Sequence, residues 1–250
     1  MWWQQQACLW LDGPFIRLLK TKRTWYGRVA FRQGHREHEP RWPPDWMGQA
    51  GAVQDYMPKL LCRYGLAGWS LRVLLSGQSV LWKQFPLGTP DRREAEALIA
   101  GAGLVSEEGR AYDFEAACPV PAENGLYDWT VGAYPSDCVT AICRACTDAG
   151  VVLQLLDLLP AFLGRLWPAG TGTLVFQENA GACQHRIRLH DGLPLAYDVQ
   201  PVASPEEAAP FRWLPDGAAQ DWQPAGPSPA VRRLMETYQL SQATAMLAFL

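Results

Sequence analysis

No stretch of this chain approaches the roughly 18–20 consecutive apolar residues that a membrane-spanning helix requires. Its amino end, MWWQQQACLWLDG, has neither the basic n-region nor the long apolar core of a secretory leader. Positive charge is not in surplus either. Lys plus Arg number 22 against 25 for Asp plus Glu, a net charge of −3. Too little cation is available to neutralise a phosphate backbone, so no nucleic-acid partner is expected. The basic run at 28–41 (RVAFRQGHREHEPR) is interrupted by Glu37 and Glu39 and is expected to be a solvated loop.

Metal and catalytic signatures are equally scarce. The seven cysteines are odd in number and scattered, which argues against a secreted disulfide framework and for a reducing, cytoplasmic setting. Cys143 and Cys146 form one CxxC, with Cys138 close by, but no second CxxC or His-x-x-x-His stands at zinc-finger spacing. Their segment, SDCVTAICRACTDAG, is predicted to be a helix capped by Ser136. Val139, Ile142, Cys143 and Cys146 fall on one face of it, so both thiols are expected to pack inward. Ser76-Gly77-Gln78-Ser79 lacks the Gly-x-Ser-x-Gly of a nucleophile elbow. Among the four histidines, His35 and His38 sit in the charged loop without a ligand set, and His185 and His190 lie on a hairpin. Asp216 and Asp221 stand in a Pro/Gly-rich tail with no partnering acid. No catalytic residue, metal ligand or cofactor is assigned.

What is present is ordinary globular composition, 48% hydrophobic and 19% charged, with twelve tryptophans for core and partner surfaces. Strand-like runs occupy 7–12, 15–20 and 24–31, the first two separated by a Gly13-Pro14 turn. A Pro/Trp-rich loop at 40–44 precedes a helix over 48–64, whose Val53, Met57, Leu60, Leu61 and Tyr64 share a face and which Gly65 ends. Residues 71–76 (LRVLLS) suit a buried strand, and 79–85 a second one before Pro86-Leu87-Gly88 breaks the chain. A helix capped at Thr89 or Asp91 then runs to 100. Strands at 111–118 and 126–133, the helix at 137–149, a strand at 151–157 and a short helix at 159–166 complete this half. Three strands then recur at 172–177, 183–189 and 193–199, with Asp191-Gly192 as a hairpin signal. Residues 204–229 are expected to be loops, and 229–249 a final helix.

Alternating helices and strands, with two openings of three strands, imply a layered α/β fold with internal duplication. RVLLSGQSVLWKQFPLG with the Glu/Arg/Ala-rich helix behind it, YPSDCVTAICRACTDAGVVLQLLDLLPAFLGRL, and TGTLVFQENAGACQHRIRLHDGLPLAYDVQPV together resemble the PilM family of type IV pilus assembly proteins. The resemblance covers about residues 7–200. Similar logic is found in HofM and MshI proteins and in the cytoplasmic domain of GspL from type II secretion. It implies an actin-like (ribonuclease H-like) duplicated fold. The first lobe would comprise 1–77 and 134–168, a small inserted α+β subdomain 78–133, and a reduced second lobe 169–250.

Actin-like ATPases grip phosphates with a Gly-rich hairpin turn in each lobe, because backbone N–H groups must approach the phosphates closely. Here Asp12-Gly13 stands at the first turn as a degenerate remnant, but Pro14 removes a donor. The second turn, 177–181 (QENAG), lacks the matching Asp, no Gly-Gly-Gly segment follows residue 200, and only residues 200–250 succeed the third strand. No ATP hydrolysis is expected, and no nucleotide cofactor. The resemblance instead implies a cytoplasmic scaffold at the inner face of the bacterial inner membrane. It would capture the amino-terminal tail of a PilN-like inner-membrane protein in a groove lined by 71–85 and the inserted strands. Trp82, Lys83 and Phe85 are the candidate partner-binding residues, and the motor ATPase is a further implied partner. The competing reading is an actin-like or sugar-kinase-like ATPase with divergent phosphate loops.

Overall fold

The computed structural model describes residues 4–23, 29–38, 42–107, 109–117, 119–122, 124–168, 171–177, 183–201, 211–214 and 246. The first sheet is built on two strands whose faces are both covered. In β1 (Gln4–Asp12) Ala7, Leu9 and Leu11 face one core, while Cys8 and Trp10 face another. A continuous apolar run is what such two-sided burial requires. After the Gly13-Pro14 turn, β2 (Phe15–Arg23) pairs antiparallel with β1, and β3 (Val29–His38) with β2.

β3 corrects the sequence reading. Most of the charged run expected as a solvated loop is a strand at the end of the sheet order β10-β4-β1-β2-β3. Edge strands tolerate charge because one flank meets water, and the charges discourage pairing with another chain.

A 3-10 turn at Trp46–Gly48 leads into α1 (Ala50–Arg63), which buries Val53, Met57, Leu60 and Leu61. Gly65, at φ +58°, ends it in the left-handed region that favours glycine. β4 (Ser70–Leu75) returns parallel to β1. The chain then leaves this sheet. β5 (Leu81–Leu87), α2 (Arg92–Gly101), β6 (Ser106–Glu107), β7 (Arg110–Ala116), β8 (Val120–Pro121) and β9 (Tyr127–Pro135) make a small separate sheet, order β5-β9-β7-β6, with its own core around Ile99, Trp129 and Val131. β5 continues through Pro86, where a break was expected. It is an edge strand, the one place a residue without an N–H fits a ladder. Asp91 caps α2 by accepting from the Glu94 N–H at 2.9 Å.

α3 (Ser136–Asp148) packs on α1 and feeds β10 (Val152–Leu158), parallel to β4; α4 (Leu159–Leu166) covers the opposite face. Two expectations for α3 fail. Ser136 does not cap it, because its hydroxyl donates to Asp113 Oδ1 at 2.8 Å. Cys143 is exposed while Cys138 and Cys146 are buried: Cys143 stands 100° round the helix from Ile142, just off the inward stripe.

The second sheet contains β11 (Gly172–Gln177), β12 (Cys183–His190), β13 (Leu193–Pro201) and β14 (Phe211–Leu214), ordered β13-β12-β11-β14. Asp191 and Gly192 both have positive φ, 47° and 74°, as the tight β12–β13 hairpin requires. β14 arises inside a stretch expected to be loop. It runs antiparallel to β11, whereas β4 runs parallel to β1, so the correspondence of the halves ends after three strands. The expected terminal helix lies outside the described residues apart from Met246, which is helical and buried in the same core as Trp10, Phe162 and Leu189. None of the described helices is long and apolar enough to cross a membrane.

Candidate functional site

Among the described residues, two concavities between the lobes and the insert differ more than tenfold in size. The smaller lies at the β1–β2 turn. Gly13 sits at φ +55° with its backbone pressed on Pro44: a Cβ there would lie 2.4 Å from the Pro44 carbonyl oxygen. The Trp46 indole N–H donates to the Gly13 carbonyl, fixing the same contact. Asp12, just before, points at the second lobe. Its Oδ2 accepts from His185 Nε2 at 2.9 Å, the His185 side chain wholly buried and Asp12 only 12% exposed. His185 Nδ1 is 2.8 Å from the Tyr197 hydroxyl, which accepts the Gly77 N–H at 2.9 Å. The two rings lie parallel. Ser76 stands beside Gly77, its Oγ accepting from Trp10 Nε1 at 3.0 Å and donating to the Leu11 carbonyl at 3.3 Å.

The electrostatics of Asp12 follow from this setting. Burial, the largest influence, pushes its pKa up. The opposing charge and hydrogen bond of His185, the Ser76 hydroxyl and the Arg17 guanidinium outweigh it and hold the carboxyl below its ordinary value. Burial and then the negative Asp12 raise the Cys183 thiol at the same cleft.

A phosphate-gripping turn would need open space here. The cavity lined by Asp12, Gly13, Pro44, Ser76 and Cys183 is only about 80 Å³, far below the ~300 Å³ at which small-molecule sites begin. Among the described residues the arrangement does not fit a nucleoside triphosphate at this turn. The expected second phosphate turn at 178–181 and the region searched for a Gly-Gly-Gly segment lie largely outside the described residues.

The larger concavity, about 910 Å³, runs between the insert, the β10–α4 region and the β12–β13 hairpin. Its floor is apolar, with Trp82, Phe114, Trp129, Val139, Leu156 and Leu158. Residues 113–117 line it consecutively on one wall and 156–158 on the other, so backbone as well as side chains faces the space. No described strand pairs with the outer edge of β7 over 113–116 or with the far side of β10. The charged lining residues are Asp113, Glu115, Asp157 and Asp191 against Arg92 and Arg165. Both cations are engaged already: Arg92 with Glu96 and Glu115 at 2.8 and 3.0 Å, and Arg165 with Asp157.

Of the three candidate partner-binding residues, only Trp82 lines this groove. Its ring lies over Gly132, where a Cβ would come within 2.4 Å of it, and its Nε1 donates to the Pro194 carbonyl at 3.0 Å. Trp82 thus ties the insert to the second lobe. Phe85 packs into the insert core, and Lys83 is half-buried on β5 away from the groove lining. The insert is held to the first lobe by a residue that sequence reasoning passed over. Arg110 donates to the Gly48 carbonyl at 2.7 Å and to Asp137 Oδ1 at 2.6 Å, and Tyr134 donates to the Met47 carbonyl at 2.9 Å. The sequence places His185 on a hairpin and assigns it no role. Its signal was the alternation on β12, which puts it on the same inward face as Ile187 and Leu189, where a buried imidazole needs a partner.

No protein-family model matches the chain, and no curated protein matches its sequence. Solved structures do resemble its fold. The PilM–PilN type IV pilus biogenesis complex aligns with a TM-score of 0.54 at 15% identity, covering 97% of this chain and 68% of that one. The cytoplasmic domain of EpsL, an inner-membrane component of the type II secretion system of Vibrio cholerae, aligns at 0.48 and 12% identity, covering 79% and 71%. A Bacteroides thetaiotaomicron protein with an actin-like ATPase fold and unknown function aligns at 0.44 and 6% identity, covering 80% and 71%. At this identity the likeness to PilM establishes architecture: the chain has the actin-like fold.

Proposed function

We propose that this chain is a non-catalytic docking body in the cytoplasmic platform of a type IV pilus or type II secretion system. It captures the amino-terminal tail of a PilN-like inner-membrane protein in the 910 Å³ groove and is held at the inner face of the membrane through that partner. One observation carries the reading. The chain's own Pro44, Asp12 and His185 occupy the place where phosphates would be gripped, while the open volume lies beside the insert.

The groove suits an extended segment. Open strand edges at 113–116 and on β10 offer main-chain hydrogen bonds, and the Trp82, Phe114 and Leu158 floor offers apolar side-chain pockets. The two lining guanidiniums pair with Glu115 and Asp157, which leaves Asp113 and Asp191 as the lining's negative surplus and favours a segment that carries positive charge. Contact with the motor ATPase is a second part of the same proposal and rests on the resemblance to PilM alone.

The test is calorimetric titration with a synthetic peptide of the PilN-like protein's amino-terminal tail. Binding is expected, and Val120→Arg, which adds bulk and a like charge at the groove wall, should weaken it about tenfold or more. No heat of binding, or equal affinity in Val120→Arg, removes the groove from the account.

A further inference from the structure

The docking reading uses the buried polar chain between the lobes only as the occupant of the turn; the directionality of its bonds poses a physical question of its own. His185 is fully buried on the face of β12 that also buries Ile187 and Leu189, and those two belong to the apolar core that holds Trp10, Leu74 and Leu174. An apolar pair at 12 and 185 would pack there without the desolvation that an imidazole and a carboxylate both suffer. What the polar pair adds is directionality. The Asp12–His185 and Tyr197–Gly77 bonds are satisfied together at only one relative setting of the lobes.

That setting has a consequence for the groove. β13 carries both Tyr197, bonded to Gly77 and His185, and Pro194, whose carbonyl holds the Trp82 indole. The two positions are three residues apart, about 10 Å along one strand. A movement of β13 that releases Tyr197 therefore displaces Pro194, and with it the hairpin wall of the groove at Asp191, Gly192 and Leu193.

We propose that Asp12, His185 and Tyr197 form an internal clamp that holds the two lobes at one angle without a ligand and thereby fixes the third wall of the groove. The clamp stands at the turn where a nucleotide would bridge the lobes of an actin-like ATPase, so the chain supplies its own bridge. This extends the docking reading, on which the importance of the groove rests, to the control of that groove.

Proton exchange followed by NMR on the whole chain, with no partner present, tests the clamp. His185→Phe keeps a ring of similar size and removes both nitrogens; Tyr197→Phe removes one hydroxyl. The reporter is the Trp82 indole proton, which touches neither residue. The reference is the Trp129 indole proton, bonded to the Thr89 carbonyl at 2.8 Å inside the insert. Both variants are expected to speed Trp82 exchange about tenfold or more while Trp129 keeps its native rate. Trp82 exchange unchanged in Tyr197→Phe, or Trp129 accelerated equally with it, overturns the clamp. Because no peptide enters this experiment, its failure leaves the docking reading standing, and a failed peptide titration leaves the clamp standing.

Discussion

Removing one partner of the Asp12–His185 pair leaves the other buried without its interlobe partner. His185→Leu leaves a carboxylate whose side chain is only 12% exposed with Ser76 and Arg17 alone to answer it, and deprives Tyr197 of its 2.8 Å neighbour. Breaking a buried pair in this way costs about 3–5 kcal/mol. In a chain of this length each kcal/mol shifts Tm by roughly 2–4 °C, so a fall of about 6–20 °C is expected. Asp12→Leu should behave similarly, since it leaves the imidazole buried without its acceptor. The double variant Asp12→Leu/His185→Leu removes both polar groups together and should be no less stable than either single one. The coupling between the sites is then roughly 3 kcal/mol or more, where independent sites would give about zero. Urea unfolding followed by tryptophan fluorescence measures all four proteins. If the two single losses add in the double variant, or either single change costs under about 1 kcal/mol, the pair is not the interlobe tie described here.

Other expectations follow from particular contacts. Gly132→Ala places a methyl where the Trp82 ring now lies; with Trp82 displaced, the bond to Pro194 breaks, and a loss of about 1–3 kcal/mol is expected, read from the urea midpoint. Asp12 has a folded pKa lowered below its ordinary 3.8. Its ionised form is therefore favoured by folding, and its contribution is present above the unfolded pKa and lost as pH falls through the folded one. Stability of the native chain should drop more steeply below about pH 4 than that of Asp12→Asn, and parallel acid limbs would contradict this. Asp91→Ala should destabilise α2 by about 1 kcal/mol through loss of its cap, detectable as faster exchange of the Glu94 amide.

Much of the architecture is legible locally. The 159–166 helix, the Asp191-Gly192 hairpin, the glycine end of α1 and the Asp91 cap each depend on neighbours within a few residues. β3 is not, because charges that read as solvated loop are compatible with the outer strand of a sheet whose existence depends on β2. β14 is not, because its pairing with β11 comes from a segment more than thirty residues away. The inward face of α3 is legible to within one position, since Cys143 lies at the stripe's margin and only the packing of α1 decides it. The site divides in the same way. Asp12-Gly13 can be located from its turn, and Pro14 reads as an obstacle to phosphate contact. The contacts that Pro44 and His185 make at this turn are not legible there, the latter residue standing 173 residues from Asp12 in sequence. Trp82 stands out as an aromatic on the insert's first strand, but its use as a tie to Pro194 depends on how the hairpin docks.

The occupied turn between the lobes leads to one direct measurement, thermal unfolding with and without saturating Mg-ATP. A nucleotide at a hundred times its Kd would add about 2.7 kcal/mol to the stability of the folded chain, a rise of roughly 5–11 °C. The account predicts no change in Tm; a clear upward shift that persists when ATP is diluted toward micromolar levels would contradict it.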